Sequence, residues 1–265
     1  MKFDKNYTKY WSSTVNKSVD GTIIAGSDQV KDILDYLELG IYEKVLDLGC
    51  SFGRMHEVLM KYSRSLYGID ADPYAVEQAN NLSYEEVRVS TAEQMDFNND
   101  YFDLVFCWAV FDVVDHIKGL GEINRVLKPG GKLLITGKND NYFLDDQLAY
   151  KAEKNAFLKG FPNRFTNLST VTNNFNKLGY QLDKLLIFPR RGDLGKLNFN
   201  DESDVIREEY IGYEYLIFCH KVTKESGTNL DSEMFELPFS KTARKMANRA
   251  NFSDIGNFFQ TIGID

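Results

Sequence analysis

The hydrophobic positions of this chain keep two rhythms that alternate along its length. Short, mostly apolar runs recur at Lys44–Leu48, Leu66–Ile69, Glu86–Val89, Phe102–Val110, Lys132–Thr136, Gln181–Phe188 and Tyr213–Val222. Runs of this length between polar or glycine-bearing stretches predict strands buried on both faces. Between them, apolar residues return at helical spacing. Val30, Ile33, Leu34 and Leu37 define one helix, with Ser27 as its N-cap and Gly40 as its stop. Further helices are predicted over Met55–Tyr62, over Pro73–Asn80 and over Ile117–Leu127, the last ended by Pro129-Gly130-Gly131. Two more follow, near 144–158 and 169–178, and weaker amphipathic stretches lie near 240–250 and 253–262. Strands that alternate with helices in this way predict a parallel, doubly wound sheet. Such sheets take ligands outside the carboxyl ends of their strands, at the point where strand order reverses.

Composition narrows the classes of function. The chain has 265 residues, 43% hydrophobic and 26% charged, enough to bury a large core. Its net charge of −8 argues against a nucleic-acid partner, which calls for a basic field. Cys50, Cys107 and Cys219 are odd in number and widely spaced, so neither a disulfide framework nor a zinc site is expected. The N-terminal residues are charged and polar, and no apolar run is long enough to span a bilayer. A cytoplasmic protein without a membrane partner is expected.

The chemistry concentrates in Val45-Leu-Asp-Leu-Gly-Cys-Ser-Phe-Gly53, where the first strand turns into a helix. Glycine lets backbone approach a ligand closely, and the following helix turns free N–H groups toward the same place. The second strand ends at Asp70, the position from which a carboxylate reaches ribose hydroxyls in nucleotide sites.

These motifs, with Ser90-Thr-Ala-Glu-Gln-Met-Asp-Phe97, Tyr101-Phe-Asp-Leu-Val-Phe-Cys107 and Glu122-Ile-Asn-Arg-Val-Leu-Lys-Pro-Gly-Gly-Lys-Leu-Leu-Ile135, resemble the ordered motif set of class I S-adenosylmethionine-dependent methyltransferases. The resemblance covers about residues 27–222. It implies an α/β, Rossmann-like doubly wound sheet of seven strands, mostly parallel, with helices on both faces and an antiparallel last strand. It implies S-adenosyl-L-methionine as cofactor, converted to S-adenosyl-L-homocysteine. By the same resemblance Asp47, Gly49, Cys50, Ser51 and Gly53 form the loop at the amino-acid end of the cofactor. Asp70 and Ala71 lie at the ribose, Ala92 and Glu93 beside the adenine, and Cys107 and Trp108 beside the sulfonium. Ser51 stands where the family commonly has glycine, Thr91 where an aspartate often meets the adenine amine, and Asp112 where many small-molecule members carry histidine.

Methyl transfer to a neutral hydroxyl needs a proton acceptor. His116 and Asp112 are the catalytic candidates; Asp115 reads as the cap of the helix that follows. His56 and His220 read as structural. Acceptor selection is expected from the variable parts: Tyr7, Tyr10 and Trp11 at the N-terminus, and insertions near 139–168 and 189–210. Lys138, Arg164, Arg190 and Arg191 are candidates for holding an anionic group. Tyr142, Phe143, Phe161 and Phe165 are candidates for a pocket roof, with core packing as the plainer reading. One domain is therefore expected over 1–222, with an extension over 223–265. The reading is an O-methyltransferase of a small polar metabolite, phosphorylated or sugar-linked, of the kind that modifies capsule polysaccharide precursors. N-methylation of a small amine and a non-catalytic cofactor-binding subunit stand as alternatives, and a homodimer is left open.

Overall fold

The computed structural model describes residues 24–159, 161–204, 209–222 and 240–249. Tyr7, Tyr10, Trp11 and the stretch near 253–262 lie outside them.

A single sheet carries the structure. Its elements run α1 (Ile24–Tyr36), β1 (Tyr42–Leu48), α2 (His56–Leu59), β2 (Ser63–Asp70), α3 (Pro73–Ala79), β3 (Glu86–Val89) and β4 (Phe102–Cys107). A 3-10 turn (Phe111–Val113), α4 (His116–Val126), β5 (Leu127–Lys138), α5 (Gln147–Leu158) and α6 (Leu168–Lys177) come next. They are followed by β6 (Tyr180–Phe188), β7 (Asn200–Asp201), β8 (Glu214–Lys221) and α7 (Lys241–Arg249). The strand order is β3-β2-β1-β4-β5-β8-β6-β7. Strands β1 to β5 are parallel, and β8 runs antiparallel between β5 and β6. The chain moves outward from β1 to β3, then returns to start β4 on the other side of β1. The crevice left at that reversal, beyond Leu48 and Cys107, is the place this fold offers a ligand.

Alternation along the strands assigns each face its own core. Leu46, Leu48, Val105, Cys107, Leu133 and Ile135 join α4 and α6 through Leu120, Ile123, Val171 and Phe175. Val45, Leu104, Phe106 and Leu134 face the opposite way, onto Val30, Ile33, Leu34 and Leu37 of α1 and Val58 and Leu59 of α2. Covering both faces is why these strands read as continuous apolar runs rather than alternating ones.

Several boundaries differ from the sequence reading. Helix α1 starts at Ile24, so Ser27 lies inside it rather than capping it, and it ends at Tyr36, ahead of Gly40. Helix α2 is a single turn. Strand β4 stops at Cys107 because Ala109 takes φ +57°. The Pro129-Gly130-Gly131 segment lies within β5: Leu127 already pairs with Phe102, and a register shift absorbs the following residues before Lys132 pairs with Leu104. Seven strands were read and are present; the eighth, β7, is two residues long and pairs with the outer edge of β6. The helix starts follow side-chain chemistry. Asp72, Asp115, Asp146 and Asn167 each accept a backbone N–H in the first turn of α3, α4, α5 and α6.

Two polar anchors fix the periphery. The buried Lys221 ammonium donates to the carbonyls of Asn124 (2.6 Å) and Leu127 (2.8 Å), with Asp100 at 3.4 Å. It ties the end of β8 to the α4–β5 junction, at the end of the sheet opposite the crevice. The second anchor is Glu153 of α5, a buried carboxylate. It accepts from the Ser240 N–H (2.7 Å), the Ser240 hydroxyl (2.9 Å) and the Tyr142 hydroxyl (2.9 Å). Thr242 continues the seam: its N–H donates to the Asp140 carbonyl, and its Oγ1 accepts from the Tyr142 N–H. The start of α7 is thereby fastened to α5. Among the described residues, no helix is long and apolar enough to cross a membrane.

Replacing Lys221 by Met is expected to leave two buried carbonyls unpaired, a loss of about 2–4 kcal/mol. Urea denaturation should show it as a lowered midpoint. A midpoint within the error of the parent's would show that water satisfies those carbonyls.

Candidate functional site

Strand β1 delivers its last residues into a turn pinned to β2. The N–H groups of Gly49 and Cys50 both donate to the Ile69 carbonyl, at 2.8 and 2.9 Å. Gly49 takes φ +77°, and a Cβ there would stand 2.3 Å from Val110 Cγ2, so conformation and space both require glycine. Ser51, where glycine is the family's habit, takes φ +52° and keeps its side chain. Its N–H donates to Asp70 Oδ2 at 2.9 Å, while the Asp72 N–H donates to Oδ1 at 2.9 Å. Asp70 therefore links the glycine turn to the loop after β2. Burial raises its pKa against those hydrogen bonds. The helix cap ahead of Pro73 is Asp72, which leaves Asp70 free of that task.

These elements wall a mostly apolar cleft lined by Leu48, Gly49, Ser51, Phe52, Arg54, Ile69, Asp70, Ala71, Asp72, Ala75, Ser90, Thr91, Ala92, Glu93, Trp108, Ala109, Val110, Val113 and Val114. The space open to water centres is about 180 Å³, room for on the order of a dozen waters. Of the candidate cofactor residues, Gly49, Ser51, Asp70, Ala71, Ala92, Glu93 and Trp108 line it. Asp47, Cys50, Gly53 and Cys107 do not. Asp47 is buried beneath the turn and accepts from the Tyr84 hydroxyl at 2.8 Å. Cys50 packs against Gly68, beside Val76 and Val87, while Cys107 packs into the sheet core. Gly53 takes φ +80°, a left-handed conformation that favours glycine. Glu93 lines the cleft while accepting the Asp115 N–H at 2.8 Å. Sequence reasoning missed Arg54 and Phe52, whose signal was their place just after the glycine turn. Arg54 is the one cation lining the cleft among the described residues.

A second cavity opens beside the first and shares Ala109 and Val113 with it. Its volume by the same measure is about 410 Å³. One side is apolar, with Ala152 and Ala156 of α5, Phe161, Pro162 and Leu194; the other presents Asp112, Lys138, Arg191 and Glu214. Both expected insertions contribute: Ala152 to Asn163 from the first, Arg191 and Leu194 from the second. Ala109 sits between the two spaces at φ +57°, its N–H donated to Thr136 Oγ1 at 2.7 Å. A non-glycine residue held in this conformation is a strained one, of the kind that clusters at functional sites.

The candidate base His116 is misplaced for that task. Its ring is fully buried, stacked on Phe111 at 4.1 Å, with Nε2 2.9 Å from the Phe111 carbonyl; it lines neither cavity. Asp112 does line the second cavity but is engaged by Lys138 Nζ at 2.6 Å. Burial opposes the Lys138 charge, yet Asp112 holds its pKa above the ordinary lysine range. Of the cationic candidates, Lys138 and Arg191 reach this cavity. Arg190 does not: it forks onto Asp145 at 2.8 and 2.9 Å over the Phe143 ring. Arg164 lines neither cavity, and its backbone N–H holds the Asp112 carbonyl at 2.7 Å. Phe161 lines the cavity, whereas Tyr142 and Phe165 pack in a small core of their own. His220 bonds Asp183 at 2.8 Å, at the opposite end of β8 from Glu214.

Residues 46–135 match the model of the methyltransferase domain family. The chain carries a class I S-adenosylmethionine-dependent methyltransferase domain. Over 106 residues it is 33% identical to a ubiquinone biosynthesis O-methyltransferase of Pseudomonas aeruginosa, covering 37% of this chain and 46% of that one. Over 129 residues it is 27% identical to sterol 4-C-methyltransferase strm-1 of Caenorhabditis elegans, covering 45% and 39%. The chain thus spans under half the length of these curated relatives. The fold is that of an S-adenosylmethionine-dependent methyltransferase from Thermotoga maritima (TM-score 0.59, 20% identity, 82% of this chain and 98% of that one). It is also that of the YcgJ protein of Bacillus subtilis (TM-score 0.53, 19% identity, 74% and 99%).

The cleft suits the methyltransferase cofactor, S-adenosyl-L-methionine. With the cofactor bound there, Arg54 would offer a cation to its amino-acid carboxylate, Asp70 a carboxylate edge to its ribose hydroxyls, and Ala71, Ala75, Ala92 and Val114 an apolar slot to its flat base. Trp108, stacked on Phe106, and Ala109 mark the end that opens to the second cavity.

Asp70→Ala is expected to weaken S-adenosylhomocysteine binding by about 1–3 kcal/mol, the worth of a charge-assisted hydrogen bond; calorimetry checks it, and unchanged affinity removes Asp70 from the ribose. Asp47 yields a second expectation. Burial pushes its pKa up to about 7, although Tyr84 and Arg54 pull the other way. The folded state holds this proton more tightly than the unfolded chain does. The associated stability is complete below the unfolded value of 3.8 and is lost as pH rises through about 7. Between pH 5 and pH 8 the loss is on the order of 2–3 kcal/mol, and Asp47→Asn should remove most of it in denaturation measured at both pH values.

Proposed function

We propose that the chain moves the methyl group of S-adenosylmethionine to an oxygen of a small polar metabolite seated in the second cavity. The supporting observation is that the two cavities meet at Ala109 and Val113, so a ligand in one can reach a ligand in the other. The bound cofactor supplies a methyl carbon activated by positively charged sulfur. The protein's work is then positional. Holding donor and acceptor at about 3–3.5 Å accounts for several kcal/mol of the barrier. Ala109, fixed by Thr136, and Val113 form the rim where they meet. Lys138 and Arg191 suit an acidic group on the acceptor, and the Ala152, Phe161 and Leu194 side suits its apolar part. A phosphorylated or sugar-linked metabolite meets these demands, and capsule polysaccharide precursors belong on the panel to be tried.

Cofactor with a tritiated methyl group, incubated with a panel of hydroxylated carboxylates, sugar phosphates and small amines, tests this reading. Label should pass to hydroxylated acids and not to amines. Arg191→Leu is expected to raise the acceptor KM about tenfold, close to 1.4 kcal/mol, with S-adenosylhomocysteine affinity unchanged. Transfer to amines alone, or an equal loss of cofactor affinity, would contradict it.

A further inference from the structure

The polar side of the second cavity contains two carboxylates in different states. Asp112 is committed to Lys138 Nζ, which also donates to Asn163 Oδ1. Glu214 is not committed. Its carboxylate accepts no hydrogen bond from any described residue, although the residue stands at the first position of β8, paired in register with Lys138 of β5 and Phe188 of β6. Because β8 is antiparallel, its first residue lies at the carboxyl end of the parallel strands, where the crevice is. The side chain is partly buried, and its open surface lies in the cavity.

We propose that Glu214 is the general base of the transfer, taking the acceptor's hydroxyl proton onto its carboxylate as the oxygen bonds to the methyl carbon. This rests on the reading of the second cavity as the acceptor site. The oxygen lone pair forms the new C–O bond, the C–S bond breaks with its electrons going to sulfur, and the proton stays on Glu214. The groups facing this carboxylate come from four places: Lys138 on β5, Asp112 on the 3-10 turn, Arg191 and Asp193 on the loop after β6, and, across the cavity, Lys159 at the C-cap of α5. Burial pushes the Glu214 pKa up to about 7, Lys138 and Arg191 pull it down, and Asp112 and Asp193 add to the rise. A base poised there is ionised in half its copies at neutral pH, the useful range for accepting a proton. Lys138, held by Asp112, keeps a positive charge beside it. That leaves Asp112 as a positioning residue rather than the base.

Two measurements decide the matter. Carbon-13 resonances of glutamate side chains, with Glu214→Gln to assign the signal, report the titration in the free protein; a carboxyl titrating near pH 7 is expected. The second is turnover of the parent, Glu214→Gln and Glu214→Asp across pH 6–9 on whichever panel acceptor is labelled. The parent's rate should rise with pH through about 7. Glu214→Gln should lose 10²–10⁴-fold in kcat without change in S-adenosylhomocysteine affinity, and Glu214→Asp should restore part of it. A Gln variant within threefold of the parent at every pH overturns the proposal while leaving the methyltransferase reading intact. Failure of that reading would appear otherwise, as no S-adenosylhomocysteine binding by either protein. Should no panel acceptor be labelled, the titration alone decides, and a Glu214 carboxyl ionised below pH 5 overturns the proposal.

Discussion

The site depends on one backbone constraint, the hold of β2's last two residues on the turn that follows β1. Ile69 offers its carbonyl to two successive N–H groups, and Asp70 offers its carboxylate to a third. Three donors that would otherwise need water are fixed in a row, and the turn can afford a serine in a left-handed conformation. The same carboxylate faces the cleft. One acidic side chain thus shapes the loop and lines the cleft; burial raises its pKa, and the hydrogen bonds that shape the loop oppose the rise.

Much of this was legible in the chain. Seven of the sheet's eight strands were visible as mostly apolar runs, because both faces of the sheet are covered; β7, two residues long, was not. Asp115 was visible as a cap, and the glycine turn and Asp70 as a pair. What could not be read is what only three dimensions decide. Arg190 and Arg191 are neighbours in sequence, yet one forks onto Asp145 at the surface and the other lines a cavity. His116 has the residue type for proton transfer, but Phe111 buries it. Glu214 gave no local signal. Its position opposite Lys138 follows from the antiparallel register of β8 against β5, two strands joined by a long stretch of intervening chain.

The two cavities differ as the chemistry of a donor and an acceptor would require. The first is narrow, mostly apolar and built from the motifs that the family shares. The second is wider, mixed in charge and built largely from segments outside the matched residues 46–135, α5 and the loop after β6. Asymmetry of this kind lets one cofactor site serve many acceptors, since the scaffold of the first can stay constant while the second is remade.

Helix α5 has a second allegiance with a consequence for how such a protein diverges. Its Ala152, Asn155 and Ala156 line the wider cavity, while Glu153 on the same turn is bonded to Ser240 and Tyr142. The wall of the pocket and the C-terminal segment are one mechanical unit. A drift in the tail that lost the Ser240 hydroxyl would take one of three donors from a buried carboxylate in the very helix that shapes the pocket, leaving it to the Ser240 N–H and the Tyr142 hydroxyl. The shape of the wider cavity is therefore coupled to residues far beyond the matched domain, and a chimaera that exchanged α5 without the segment around Ser240 would break the bonds that join them.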